Sequence, residues 1–142
     1  MKSEYWVHVV WSTKHRQPFL QNGIRQLLFE HIRENAANKN IHLEAVGGYT
    51  DHVHVLICMN AEDELSRIVQ LIKGESSYWI NKTKLIQDRF AWQTDYYAQR
   101  VQGSAVFAVI GYIGSQESHH KRKSFNEEYR ELIEGFIAGN GG

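Results

Sequence analysis

Residues 52–57 read His-Val-His-Val-Leu-Ile, an apolar, β-branched run that carries two histidines. Such a run predicts a buried strand, and a strand's period of two sends His52 and His54 to one face, close enough to share a metal ion. The same spacing also suits two partly buried polar residues. A metal site therefore needs further ligands from elsewhere in the chain.

With 142 residues, 42% of them apolar, and no Pro/Gly/Ser-rich interruption, the chain is expected to form one domain over residues 1–138, with residues 139–142 as a disordered tail. Met1 to Arg16 lacks the apolar stretch of a signal peptide, and no window reaches the length of a membrane span. A soluble, cytoplasmic protein is expected. Cys58 is the only cysteine, which excludes an internal disulfide and a cysteine-based zinc cluster; its place after Leu56 and Ile57 predicts an inert buried thiol. Lys plus Arg equals Asp plus Glu at 16 each, so whole-chain charge offers no footprint for nucleic acid. Any such binding must use local patches. Two stand out, Lys14-His15-Arg16 and His119 to Lys123, although both also suit solvated turns or helix ends.

The pattern along the chain predicts strands over Tyr5–Trp11, Ile41–Tyr49 and His52–Met59, with Thr50 and Asp51 forming the turn between the last two. A helix is expected over Gly23–Asn35, where Ile24, Leu27, Leu28 and Ile32 recur at helical spacing, and another over Glu62–Lys84. A short strand over Tyr96–Val101 follows, then a third helix capped by Ser104 and a fourth over Phe125–Ile137. Strand, helix, two paired strands, helix, strand is the order of a ferredoxin-like antiparallel sheet with helices packed on it, an α+β fold.

The third helix supplies further chemistry. Val106, Val109, Ile110 and Ile113 form an apolar stripe, while Tyr112, Gln116 and His119 share another face at spacings of four and three. Gly111 and Gly114 each cost about 1 kcal/mol relative to alanine inside a helix, which close approach of a ligand or backbone would justify. Gly103 and Ser104 form a hinge that makes this tyrosine helix a mobile element. Trp6, Trp11, Trp92 and Tyr96 suit either core packing or stacking on unpaired bases, with core the reading for Trp11.

His52 and His54 as a His-hydrophobic-His strand, with Tyr112 and Gln116 four residues apart, resemble the single-tyrosine HUH transposases of the insertion-sequence-200/605 family. The resemblance extends over Val10 to Arg16, Lys73-Gly74-Glu75-Ser76, Trp92-Gln93, and His119, His120 and Phe125. It implies a transposase acting on single-stranded DNA with hairpin ends. His52, His54 and Gln116 would hold one divalent metal ion, Mg2+ or Mn2+, with His120 as an alternative ligand. Tyr112 would attack the scissile phosphate, leaving a 5′-phosphotyrosine that conserves the bond for rejoining. Lys14, Arg16 and Lys73 would contact DNA, and the protein would be a homodimer with sites shared between subunits. Asp51 suits either turn chemistry or a hydrogen bond to a ligating histidine. Two other readings share these residues: a noncatalytic binder of single strands or hairpins, and a metal-dependent hydrolase in which Tyr112 is incidental.

Overall fold

The computed structural model describes residues 4–116. The fourth helix expected over Phe125–Ile137, the basic run His119–Lys123, His120 and the tail 139–142 lie outside them. Four strands, β1 (Glu4–Ser12), β2 (His42–Gly48), β3 (His52–Asn60) and β4 (Tyr97–Val101), form one antiparallel sheet in the order β2-β3-β1-β4. Helix α1 (Asn22–Asn38) links β1 to β2, α2 (Leu65–Thr83) follows β3, and α3 (Val106–Gly114) follows β4. This is the ferredoxin-like α+β arrangement expected from the order of elements. No described helix is long and apolar enough to cross a membrane.

The period of two gives the sheet two unlike faces. Val7, Val9 and Trp11 of β1 and Val53, Val55, Ile57 and Met59 of β3 build the main core with Leu28 and Ile32 of α1 and Val69, Ile72 and Ile80 of α2. The intervening residues of β1 and β3 point to the other face, where Leu56 packs with Ala45 and Ile113 beneath α3. Ser12 is registered opposite His52, Val10 opposite His54, and His8 opposite Leu56.

A bulge between Leu43 and Ala45 decides what β2 shows to α3. Before it Leu43 faces Ile57; after it Ala45 faces Leu56 and Gly47 faces His54. An unbroken ladder would have set Val46 opposite His54, so the extra residue turns the small Ala45 and Gly47 toward α3 and Val46 into the main core.

Helix α1 ends where Asn40 takes a left-handed conformation, φ 58°, as Asn40 N–H donates to Ala37 O and Ile41 N–H to Ala36 O. At α3 the expectation fails in detail. Gly103–Ala105 form a 3-10 turn and Ala105 is the N-cap, without a side-chain cap bond, so Ser104 does not cap the helix.

The segment Lys73 to Ser76 is structural wiring. Glu75 takes His31 Nε2 at 2.7 Å while His31 stacks on Trp79 at 4.0 Å, joining α1 to α2. Ser76 Oγ accepts from the indole N–H of Trp92 at 3.0 Å. Trp92 packs edge-on against Trp11 and Phe90, placing both tryptophans in the core.

Candidate metal and tyrosine centre

His52 and His54 are completely buried on the face that carries α3, with ring centroids 5.1 Å apart. Each ring is held through Nδ1. Asp51 Oδ1 lies 2.8 Å from His52 Nδ1, and His8 Nε2 lies 2.8 Å from His54 Nδ1. An imidazole gripped at Nδ1 presents Nε2 as its metal-binding atom, the usual way in which outer partners orient a ligand.

Gln116 completes the group at the end of the α3 segment and is almost fully buried. Its amide N–H donates to Tyr112 O at 2.9 Å, which turns Oε1 toward His52 Nε2 at 3.4 Å. With the Asp51 carboxylate accepting from His52 Nδ1–H, Nε2 carries a lone pair, so two acceptors face each other. A cation between them, or a second proton on His52, makes that contact favourable. The donor set of imidazole nitrogens and an amide oxygen thus fits a divalent ion, with nitrogen favouring Mn2+ or another transition metal over Mg2+. Among the described residues no three His, Cys, Asp or Glu side chains form a metal-binding group, since the third donor here is an amide.

Tyr112 lies beside this pair within the same chain. Its ring stands edge-on to His54 at 5.6 Å between centroids and to His8 at 6.1 Å. Two features bring it there. Val106, Val109, Ile110 and Ile113 pack on Ala45 and Leu56, and Gly47 lets α3 approach, because a Cβ at that position would run into Ile113 O and come within 2.9 Å of Ile113 Cγ2. The close approach expected at Gly111 and Gly114 is absent among the described residues, where a Cβ on either meets nothing within 4 Å.

The residues expected to touch DNA divide. Lys14 and Arg16 lie in an exposed 3-10 turn after β1, in which His15 (φ 56°) and Arg16 (φ 54°) are both left-handed. Lys73 behaves differently. Its ammonium donates to Gln93 O at 2.6 Å, Thr94 O at 3.1 Å and Asp95 O at 3.2 Å, so it ties α2 to the segment before β4. Burial lowers its pKa below the ordinary lysine value, with the Asp95 carboxylate acting in the opposite sense.

Sequence reasoning missed His8. It sits inside an apolar run and is only 3% exposed, and its link to His54 depends on β1–β3 register, which local sequence does not state. Its even parity with Trp6, Val10 and Ser12 was the available signal.

This sheet and its helices define an α+β fold of the kind found in transposases. The family described as "Transposase IS200 like" matches residues 1–116, and the chain belongs to that family. Among solved structures, the chain is similar to a putative transposase from Deinococcus radiodurans R1, with a TM-score of 0.63 and 22% identity over 82% of this chain and 92% of that one. It is also similar to a REP-associated tyrosine transposase bound to a REP hairpin, with a TM-score of 0.61 and 16% identity over 84% of this chain and 70% of that one. At these identities the two structures speak to fold alone. Comparison with curated proteins gives no match.

Proposed function

We propose that this transposase cuts and rejoins single-stranded DNA through Tyr112. The observation that carries the reading is the shared placement of Tyr112 and Gln116: α3 sets a phenol edge-on to His54, and the residue just past its C-cap sets an amide oxygen opposite His52. A divalent ion held by His52, His54 and Gln116 would polarise the phosphate oxygens and offset the charge that develops on them.

The phenolic oxygen of Tyr112 attacks the phosphorus, a tyrosyl–phosphate ester forms, and the bond to the 3′ oxygen of the preceding nucleotide breaks. The phenol gives up its proton and the departing oxygen gains one, leaving a 3′-hydroxyl and a 5′-phosphotyrosine. One phosphodiester replaces another, so rejoining requires no nucleotide cofactor. Asp51 and His8 fix the two imidazoles through Nδ1. Lys14 and Arg16 supply positive charge for the phosphate backbone, and Lys73 acts by holding the 93–95 segment. DNA with hairpin ends is the proposed substrate, in keeping with the hairpin carried by the REP-associated relative.

The test is incubation with labelled single-stranded DNA containing its flanking hairpins, in Mn2+, Mg2+ or chelator, followed by denaturing electrophoresis. A metal-dependent covalent adduct that Tyr112→Phe abolishes is expected; free 5′ ends without an adduct would favour the hydrolase, and binding without cleavage the noncatalytic binder. Subunit sharing is tested by mixing His52→Ala and Tyr112→Phe proteins. Recovery of cleavage requires a site assembled from two chains; no recovery supports the single-chain arrangement of Tyr112 beside His54.

A further inference from the structure

A cavity of about 450 Å³ lies where the end of β1 meets the segment leading into β4 and is lined by Val10, Ser12, Arg16, Asp95, Tyr96 and Tyr97, among others. Its floor continues the face that carries the site: Val10 pairs with His54 on one side and Tyr97 on the other, and Ser12 pairs with His52. One strand spacing, roughly 4.8 Å, therefore separates Val10 and Ser12 from the histidines, and two spacings separate Tyr97 from them.

Both walls are fixed before any ligand arrives. On one side His15 and Arg16 hold successive left-handed conformations, a strain that non-glycine residues keep mainly where function requires it. The opposite wall, 93–95, is pinned by three hydrogen bonds from Lys73, and Gln93 N–H donates to Ser12 O at 2.8 Å.

The chemistry of the lining is mixed in an informative way. Arg16 and His15 suit a phosphate, and Tyr97 offers a flat π surface on the floor. Asp95 does not suit a phosphate. Its carboxylate repels that charge and accepts hydrogen bonds only; it feels the Lys73 ammonium but forms no close ion pair among the described residues. A carboxylate next to an aromatic surface matches a base that presents N–H donors side by side. Guanine does so with N1–H and the 2-amino group, an edge exposed only when the base is unpaired.

We propose that this cavity takes one unpaired guanine of the DNA strand, next to the phosphate at the histidine pair, and that Asp95 selects it. The inference rests on the strand-cutting reading, which already requires single-stranded DNA there. It adds that the protein itself reads a base beside the cut.

The experiment measures binding by fluorescence anisotropy, in chelator so that no cleavage occurs, using hairpins whose single-stranded flanks are varied one position at a time. One flanking position should bind guanine about tenfold more tightly than the other bases. Hypoxanthine there, which lacks the 2-amino group, should lose most of that preference. Asp95→Asn should abolish the preference, bringing guanine down to the affinity of the other bases, while affinity for flanks without guanine holds or rises slightly as the carboxylate's repulsion of phosphate is removed. Free dGMP at millimolar concentration should compete weakly, since the strand supplies the remaining contacts. Tight hairpin binding without base preference at any flanking position, or a preference that survives both hypoxanthine and Asp95→Asn, overturns the proposal while leaving strand cutting intact. No binding of any single-stranded or hairpin DNA overturns the broader reading as well.

Discussion

Replacing Gly47 by alanine adds one methyl group at the contact between β2 and α3, where a Cβ would collide with the carbonyl oxygen of Ile113 and sit 2.9 Å from its Cγ2. Restoring ordinary van der Waals spacing requires a separation on the order of 1 Å. Distorting the sheet to provide it would cost about 1–3 kcal/mol, because Gly47 is paired within the β2–β3 ladder opposite the fully buried His54. Lifting α3 is the easier route, since among the described residues it rests on a small cluster around Ala45, Leu56 and Ile113 and on the ring contacts of Tyr112. That movement carries Tyr112 and Gln116 away from the histidines, and a misplacement of about 1 Å costs on the order of 100-fold in rate. Gly47→Ala should therefore lower strand cleavage, measured as adduct formed per minute, by about two orders of magnitude. Its Tm should fall by no more than about 4 °C, corresponding to roughly 1 kcal/mol in a domain of this size. Full cleavage activity in the variant would refute the reasoning, and so would a Tm loss above about 10 °C, which would place the strain in the sheet.

Removing the partner of either imidazole, by His8→Phe or Asp51→Asn, should weaken Mn2+ binding about 10–100-fold, read by the EPR signal of free Mn2+. Lys73→Met should change the alkaline behaviour of stability. Burial lowers the Lys73 pKa in the folded chain, so the unfolded state holds more protons between that lowered value and 10.5, and wild-type stability relative to the variant should rise with pH across the interval in paired urea titrations. A parallel pair of curves would show that this group does not contribute. Cys58 should react slowly with iodoacetamide in the native state and quickly in urea, because burial, then the charge of Glu4 and its hydrogen bond, raise the thiol pKa and suppress the thiolate; Glu4→Gln should speed native labelling.

Much of the fold is legible where physical signals are local. Alternation marks β1 and β3, spacings of three and four mark α1 and α2, and the order of elements gives the ferredoxin-like sheet. The grouping of His52 with His54, and of Tyr112 with Gln116, is readable because a strand and a helical turn each hold residues at fixed intervals. What escapes depends on separations in space. His8 reaches His54 through β1–β3 register, Gly47 faces α3 because of a bulge at Glu44, and Lys73 finds carbonyls twenty or more residues away. Asp51 had two readings from sequence, turn or histidine partner, and it fills both places, since the turn brings its carboxylate to His52. Ser104 illustrates the converse: a good capping residue is bypassed when a 3-10 turn moves the N-cap one residue on, to Ala105.

Tyr112 and Gln116 belong to the same short segment, whereas both histidines are fixed in the sheet. On the proposed roles, nucleophile and third ligand arrive and leave together. A segment that swings out, with or without DNA attached, carries one metal donor away with the tyrosine and leaves behind a weaker two-histidine site. Those roles would give the chain a built-in interlock: affinity for the ion would report whether the tyrosine is seated, and an ion bound by all three donors would latch the tyrosine in place.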